Sequence, residues 1–98
     1  MVLKKITYLN KNKKINLIVK PVSNFSTGLM FKRSTPPLLF NLKKEKFFSI
    51  TALFCKDFLA ITLDKNYKLI KSQKVKAGTL KTKLYGQYLI EIIQNYDD

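Results

Sequence analysis

The clearest indication of the fold is a stretch in the second half of the chain, residues 58–75, which reads FLAITLDKNYKLIKSQKV. It opens with an apolar run, Phe58–Leu63, that suits a buried strand. The next three residues, 64–66, are Asp-Lys-Asn, a composition typical of a hairpin turn. Residues 67–75 then alternate between apolar and polar side chains near Leu69, as a half-buried strand does. The stretch therefore predicts a β-hairpin.

A second hairpin is predicted near the start of the chain. Residues 15–19 carry apolar side chains at every second position, which favours a strand that ends at Pro21. Residues 5–9 are a plausible partner strand. The polar residues 10–13 would form the turn, because Asn tolerates the left-handed backbone region.

Three further strands are predicted from runs of apolar, aromatic and β-branched residues. They cover residues 38–42, 47–54 and 85–93, with a turn over 43–46 and a polar connection over 76–83. Successive side chains of a strand point to opposite faces. In the last strand, one face takes Tyr88, Ile90 and Ile92, and the other takes Leu89, Glu91 and Ile93.

The strand pattern breaks between the second and third predicted strands. There, Ser23 or Asn24 caps a short helix predicted near residues 23–31, and the two prolines that follow it require irregular backbone. The chain then has about seven short strands and one short helix. We predict one mainly β domain over residues 1–98, either a small antiparallel sandwich or a partly open barrel.

The composition suits a folded domain and narrows its chemistry. Hydrophobic residues make up 46% of the 98 residues and charged residues 26%, as in globular proteins. The chain has no His, and Cys55 is its single cysteine, which excludes a His-dependent triad, a His zinc site and an internal disulfide. Asp57 and Asp64 would lie roughly 23 Å apart across an extended strand, too far to cooperate. We therefore predict no catalytic set, no metal site and no cofactor.

The chain is strongly basic, with 19 basic and 6 acidic residues and a net charge of +13. Residues 1–49 carry +10 of it, and residues 50–98 carry +3. The densest groups lie in two predicted turns, where solvated side chains are the simplest interpretation. These groups are Lys11, Lys13 and Lys14 in one turn and Lys43, Lys44 and Lys46 in the other.

Two explanations of this charge remain open. Lys, Asn and Ile are the residues that AT-rich codons supply, so genome composition is one explanation. Attraction to a polyanion, namely RNA, DNA or an anionic membrane surface, is the other. Arg33 is the single arginine, and bidentate recognition depends on arginine, so such binding would be weakly specific and strongly salt-dependent.

Twelve aromatic side chains accompany the lysines, and base-stacking surfaces are built from the same two residue classes. The phenylalanines lie mostly in predicted strands, where we expect them in the core. The better candidates for exposed stacking are Tyr67, Tyr85 and Tyr88.

Four short runs carry a resemblance to a known family. They are Gly-Leu-Met-Phe-Lys-Arg at 28–33, Pro-Leu-Leu-Phe at 37–40, Ile-Thr-Leu-Asp at 61–64 and Tyr-Leu-Ile-Glu at 88–91. Together they resemble the domain of unknown function 192 family (uncharacterised protein family 0127) over about residues 16–93, and the short form is similar to archaeal members. The resemblance implies a compact, mostly β fold and no established activity.

The sequence departs from this family at several polar positions. The family usually carries Trp-Met-x-Asn and then Pro-Leu-Asp, but the matching positions here begin at Ile50 and Asp57, and the Trp, the Asn and the first Asp are absent. Lys32 stands where an Arg is usual. If those residues build a site in other members, this chain has a reduced or structural role, or a different site.

We predict from these features a small soluble binding or accessory protein that is not an enzyme. Lys32 and Arg33 are the candidate anion-binding residues. The alternative is weakly specific binding of RNA or another polyanion, such as an anionic surface, through a lysine-rich face. No secretory signal or membrane span is expected, the unpaired cysteine fits the cytoplasm, and an open strand edge would allow a homodimer.

Overall fold

The structure, a computed structural model, describes residues 3–22, 36–50, 57–76, 78 and 81–93. Within these ranges the regular elements are all β-strands, and there is no helix with the length and apolar character to cross a membrane. The six strands are β1 (Lys4–Asn10), β2 (Lys13–Val22), β3 (Leu38–Ile50), β4 (Phe58–Leu63), β5 (Leu69–Val75) and β6 (Thr82–Ile93).

The six strands form one mixed sheet that curls into a half-barrel. Their order is β1-β2-β3-β6-β4-β5; β2 and β3 pair in parallel, and the other neighbours pair antiparallel. The sheet's two edges approach each other at Leu9, whose N–H donates a hydrogen bond to the Tyr67 carbonyl at 2.9 Å. Leu9 also forms a parallel bridge with Lys68. These contacts join β1 to the start of β5 at one end of the barrel.

Both faces of the sheet are apolar in its centre, and the described residues form two buried clusters, one on each face. The inner cluster draws on all six strands and fills the half-barrel, with Val19, Leu63 and Ile90 fully buried in it. The outer cluster lies on the opposite face around Phe58 and Leu89. β6 supplies alternate residues to the two clusters, which confirms the predicted division of its faces.

β3 and β6 bend so that two of their segments, residues 46–50 of β3 and residues 82–86 of β6, cover the outer face. The two strands stay paired along their length, with an irregularity between Asn41 and Lys46. Beyond it, Ile50 of β3 and Leu84 of β6 enter the same buried cluster as Phe58 of β4. The outer cluster therefore lies between the central part of the sheet and a two-stranded ribbon, which we define as residues 46–50 of β3 paired with residues 82–86 of β6.

Both predicted hairpins are confirmed, with β4 matching its predicted bounds. They correspond to β1–β2 and β4–β5. The mainly β class is also confirmed, and the half-barrel agrees with the partly open barrel rather than with two separate sheets.

Several finer expectations are wrong. Residues 43–46 do not turn the chain into a new strand but lie inside β3, because the backbone detours there and resumes its pairing with β6. The chain therefore has six strands among the described residues, not about seven. The β2–β3 pair makes the sheet mixed rather than antiparallel. The connection over 76–83 is shorter than expected, since β6 begins at Thr82. The helix predicted near 23–31 lies outside the described residues.

Candidate functional site

Lys32 and Arg33, the predicted anion-binding residues, lie outside the described residues, as does Cys55. The two predicted lysine groups lie within them, and the topology decides how they are arranged. The site is therefore built from the segments that carry these lysines, namely the β1–β2 turn and the irregular part of β3.

Both lysine groups flank the β4–β5 turn. On one side, the contacts of Leu9 with Tyr67 and Lys68 bring the β1–β2 turn to it. On the other side, the Lys65 N–H donates a hydrogen bond of 3.0 Å to Oε2 of Glu45, within the irregular part of β3. We call this surface the lysine end. Its lysines, all exposed, are Lys11, Lys13, Lys14, Lys43, Lys44, Lys46, Lys65 and Lys68.

The β4–β5 turn at the centre of the lysine end is held by Asp64. Its Oδ1 accepts hydrogen bonds from the N–H groups of Asn66, at 2.7 Å, and Lys68, at 3.0 Å. The Asp64 carbonyl also accepts a hydrogen bond from the Tyr67 N–H at 3.0 Å. Tyr67 has a φ of 61°, in the left-handed region that aromatic residues rarely adopt. The turn therefore presents its two lysines from a closely hydrogen-bonded backbone.

The irregular part of β3 is held in a similar way. Oδ1 of Asn41 accepts a hydrogen bond of 2.8 Å from the N–H of Lys43, which has a φ of 71°. Asn side chains favour such local bonds, and these replace ladder pairing where the strand detours. The detour contains three exposed lysines and places Glu45 in contact with the β4–β5 turn.

The electrostatic balance of the lysine end is strongly positive. Eight lysines face two carboxylates, Glu45 and Asp64, and both carboxylates accept backbone N–H bonds. A shallow depression of about 510 Å³ lies in the β1–β2 turn, lined by Asn10, Lys11, Asn12 and Lys13. Clustered exposed cations of this kind attract anions over distances of about 8–10 Å at physiological salt.

An exposed aromatic pair adjoins the lysine end. The rings of Phe47 and Tyr85 meet edge to face, with centroids 4.7 Å apart and an angle of 62° between their planes. Phe47 is 79% exposed and Tyr85 37% exposed. The Tyr85 hydroxyl donates a 3.4 Å hydrogen bond to Oε1 of Glu45, which ties the pair to the β4–β5 turn. A depression of about 270 Å³ beside the pair is lined by Phe47, Phe48, Ser49 and Lys83.

The expected stacking tyrosines divide into two groups. Tyr85 is exposed as predicted, but Tyr67 and Tyr88 are half-buried against the inner cluster, their ring centroids 4.3 Å apart. Burial, with a hydrogen bond and electrostatic interaction from Tyr88, raises the pKa of Tyr67 to about 12. The prediction of exposed stacking is therefore wrong for Tyr67 and Tyr88, whose rings pack against the inner cluster and against each other.

Glu91 is a buried carboxylate that the sequence pattern did not single out. It is 6% exposed, and its register partners on the two neighbouring strands are Leu38 and Ala60. Burial raises its pKa to about 7. Ala60 also pairs with Gln73, whose buried Oε1 has no hydrogen-bond partner. Glu91 and Gln73 therefore flank Ala60 across the outer face of the sheet. In the described part of the chain, no group of three or more possible metal ligands occurs.

Phe47 is the site residue that the sequence reasoning missed. The expectation that phenylalanines in strands are buried is wrong for it. The signal was present, because Phe47 and Phe48 are adjacent in one strand and must point to opposite faces. Phe48 packs against the outer cluster, which leaves Phe47 to the solvent.

Comparison with known proteins identifies a fold relative. No protein-family model matches the chain, and no curated protein matches it. The structure is similar to the crystal structure of a candidate transcription regulator from Sinorhizobium meliloti 1021, with a TM-score of 0.72 over 89% of this chain and 76% of that one. The two sequences are 12% identical, so the likeness shows the fold alone.

Proposed function

We propose that this protein is a non-enzymatic binding protein whose ligand is a polyanion, bound at the lysine end. The single observation that carries the proposal is the convergence of lysines from three separate segments on the β4–β5 turn. Half of the sixteen described lysines lie there, although the three segments are far apart in sequence. A charge excess that arose from genome composition alone would not require such a convergence.

An extended polyanion suits this surface better than a small anion does. The lysines are exposed, spread over three segments and not accompanied by a described arginine, so they lack the bidentate geometry of a small-anion site. Lysines act instead as point charges along a phosphate backbone and release its counterions. We therefore expect weak sequence preference and a steep dependence on salt.

A binding titration tests this proposal. A labelled RNA oligomer is titrated with the protein at low and moderate salt, and with a variant carrying K11Q, K13Q, K65Q and K68Q. The matched control carries K4Q, K5Q, K71Q and K81Q, exposed lysines outside the lysine end, so both variants lose the same charge.

The proposal predicts that the first variant binds much more weakly and that its salt slope falls by about 0.7 for each phosphate that the protein no longer neutralises. The control variant should stay closer to the wild type. Equal weakening of both variants would show a diffuse charge effect and contradict the proposed site. No binding by the wild type even at low salt would contradict the function itself.

Lys32 and Arg33 and the family resemblance stay part of the proposal. Three of the resembling runs lie side by side in β3, β4 and β6, where Leu38 pairs with Glu91 and Ile61 pairs with Ile90. The family resemblance itself stays a prediction. Location in the cytoplasm and dimerisation through a free edge of β1 or β5 also remain predictions.

A further inference from the structure

We propose that the Phe47–Tyr85 pair is a stacking platform for a nucleic-acid base, so that the polyanion at the lysine end is single-stranded nucleic acid. This inference rests on the proposed function and names its ligand class. It is carried by the exposure of Phe47, the geometry of its contact with Tyr85 and the position of both beside lysines.

Phe47 is presented to the solvent although its neighbour Phe48 is packed. At 79% exposure, most of the ring surface is uncovered, and the contact with Tyr85 holds one side of it. A large exposed ring leaves apolar surface in contact with water, so the folded protein does not gain the free energy of burying that ring. The same ring, held in place on a strand, suits a flat ligand because it is already oriented.

Charged groups of both signs border this platform. On one side, Lys83 lines the same depression as Phe47 and Phe48. On the other side, the Glu45 carboxylate accepts hydrogen bonds from the Tyr85 hydroxyl and from the backbone N–H of Lys65, in the turn of the lysine end. A base on Phe47 would therefore have Lys83 beside it for a flanking phosphate, and the strand could continue from there toward the lysine end. Aromatic rings interleaved with cations are the usual construction of sites for single strands.

The exposed ring favours a single strand over the other anionic ligands. The bases of a duplex are already stacked on one another, so their faces are not free for Phe47. Sulfated polysaccharides and anionic lipid headgroups have no aromatic face. A protein partner would use the ring without needing the lysines, whereas the observed surface combines both.

The test compares ligands that share a backbone but differ in their bases. The wild type and F47A are titrated with a labelled DNA single strand of about 12 nucleotides, the abasic strand of equal length, the matching duplex and heparin. F47Y is the matched control because it keeps the ring. Phe47 is exposed, so we expect F47A to fold as the wild type does, which circular dichroism checks.

The expected result is that the wild type binds the base-bearing strand about 5- to 150-fold more tightly than the abasic one, the range for one stacked base. F47A should lose this difference and keep its affinity for the abasic strand and heparin, while F47Y should retain it. Equal wild-type binding of base-bearing and abasic strands would overturn the stacking inference and leave the polyanion proposal standing. Absence of binding to every ligand would overturn both.

Two further arms separate other occupants of the same surface. Preference for the duplex over the single strand would contradict the inference. Vesicles containing anionic lipid should bind the wild type and F47A equally. If F47A weakened vesicle binding and left strand binding unchanged, Phe47 would be a membrane contact and the inference would be wrong.

Discussion

Gly86 passes directly over Leu63, so closely that a Cβ atom on Gly86 would stand 2.9 Å from the Leu63 carbonyl oxygen and 3.2 Å from Cβ of Thr62. The Leu63 carbonyl belongs to the backbone and the Thr62 Cβ is attached directly to it, so neither atom can move aside easily. Any side chain larger than a hydrogen atom would therefore clash at position 86. The approach lies where β6 passes from the barrel into the ribbon that carries Tyr85. It therefore links the bend of the longest strands to the placement of the aromatic pair.

Substitution of this glycine should destabilise the protein. We expect G86A to lower the free energy of unfolding by about 1–3 kcal/mol, the range for overpacking a buried site. In a domain of this size, each 1 kcal/mol corresponds to a fall in Tm of about 4–8 °C. G78A is the comparison, because nothing lies within 4 Å of its added Cβ and only its positive φ of 84° opposes the change. A loss for G86A no larger than that for G78A would contradict the close approach.

The buried carboxylate of Glu91 should make stability depend on pH. Its folded pKa of about 7 lies above the ordinary value of 4.5, so the folded state binds the proton more tightly than the unfolded state. The unfolding free energy should fall as the pH rises from about 4.5 through 7 and then level off, by at most about 3 kcal/mol. E91Q, which mimics the neutral form, should lack this fall and be the more stable protein at pH 8. Thermal unfolding of the wild type and E91Q at pH 5 and pH 8 measures the difference. The same change in stability between the two pH values in both proteins would contradict the assignment of the pH dependence to Glu91.

Glu45 should weaken the binding of anions. It places a negative charge among the lysines, and two unit charges about 4 Å apart in water interact by about 1 kcal/mol. E45Q keeps an oxygen to accept the Lys65 N–H bond and removes the charge. We expect its affinity for a labelled single strand at low salt to rise about two- to fivefold, and the rise to shrink at high salt. An unchanged or lower affinity would show that Glu45 acts through the shape of the turn.

The β4–β5 turn should depend on the Asp64 carboxylate. D64A removes the acceptor of two backbone N–H bonds and should cost about 1–2 kcal/mol of stability. D64N keeps an acceptor and should lose less. Denaturant unfolding of the two variants makes the comparison, and equal losses would mean that the charge of Asp64, rather than its hydrogen bonds, supports the turn.

Much of the fold could be predicted from local alternation. The β4–β5 hairpin and the two faces of β6 follow from side chains that recur at every second position, a local pattern that the final sheet keeps. The lysines at 43–46 predict a turn, because clustered charged side chains are usual in turns, and this prediction is wrong. Here the Asn41 side chain and the left-handed backbone of Lys43 let one strand detour and continue.

The candidate site was only partly predictable. Both lysine groups are visible in the sequence, but their meeting depends on the contact between β1 and β5, strands at opposite ends of the sheet order. No local pattern encodes that contact. The exposure of Phe47 and the burial of Glu91 likewise depend on which face the distant strands cover.

The most direct test of the central claim is an amide NMR titration of the wild-type protein with a single-stranded oligonucleotide. We expect shift changes concentrated in the β1–β2 turn, the irregular part of β3, the β4–β5 turn, Phe47 and Tyr85. They should disappear as salt is raised. Changes spread evenly over the exposed lysines, or centred on Lys4, Lys5 and Lys81 on other parts of the surface, would contradict the claim that the lysine end is the binding site.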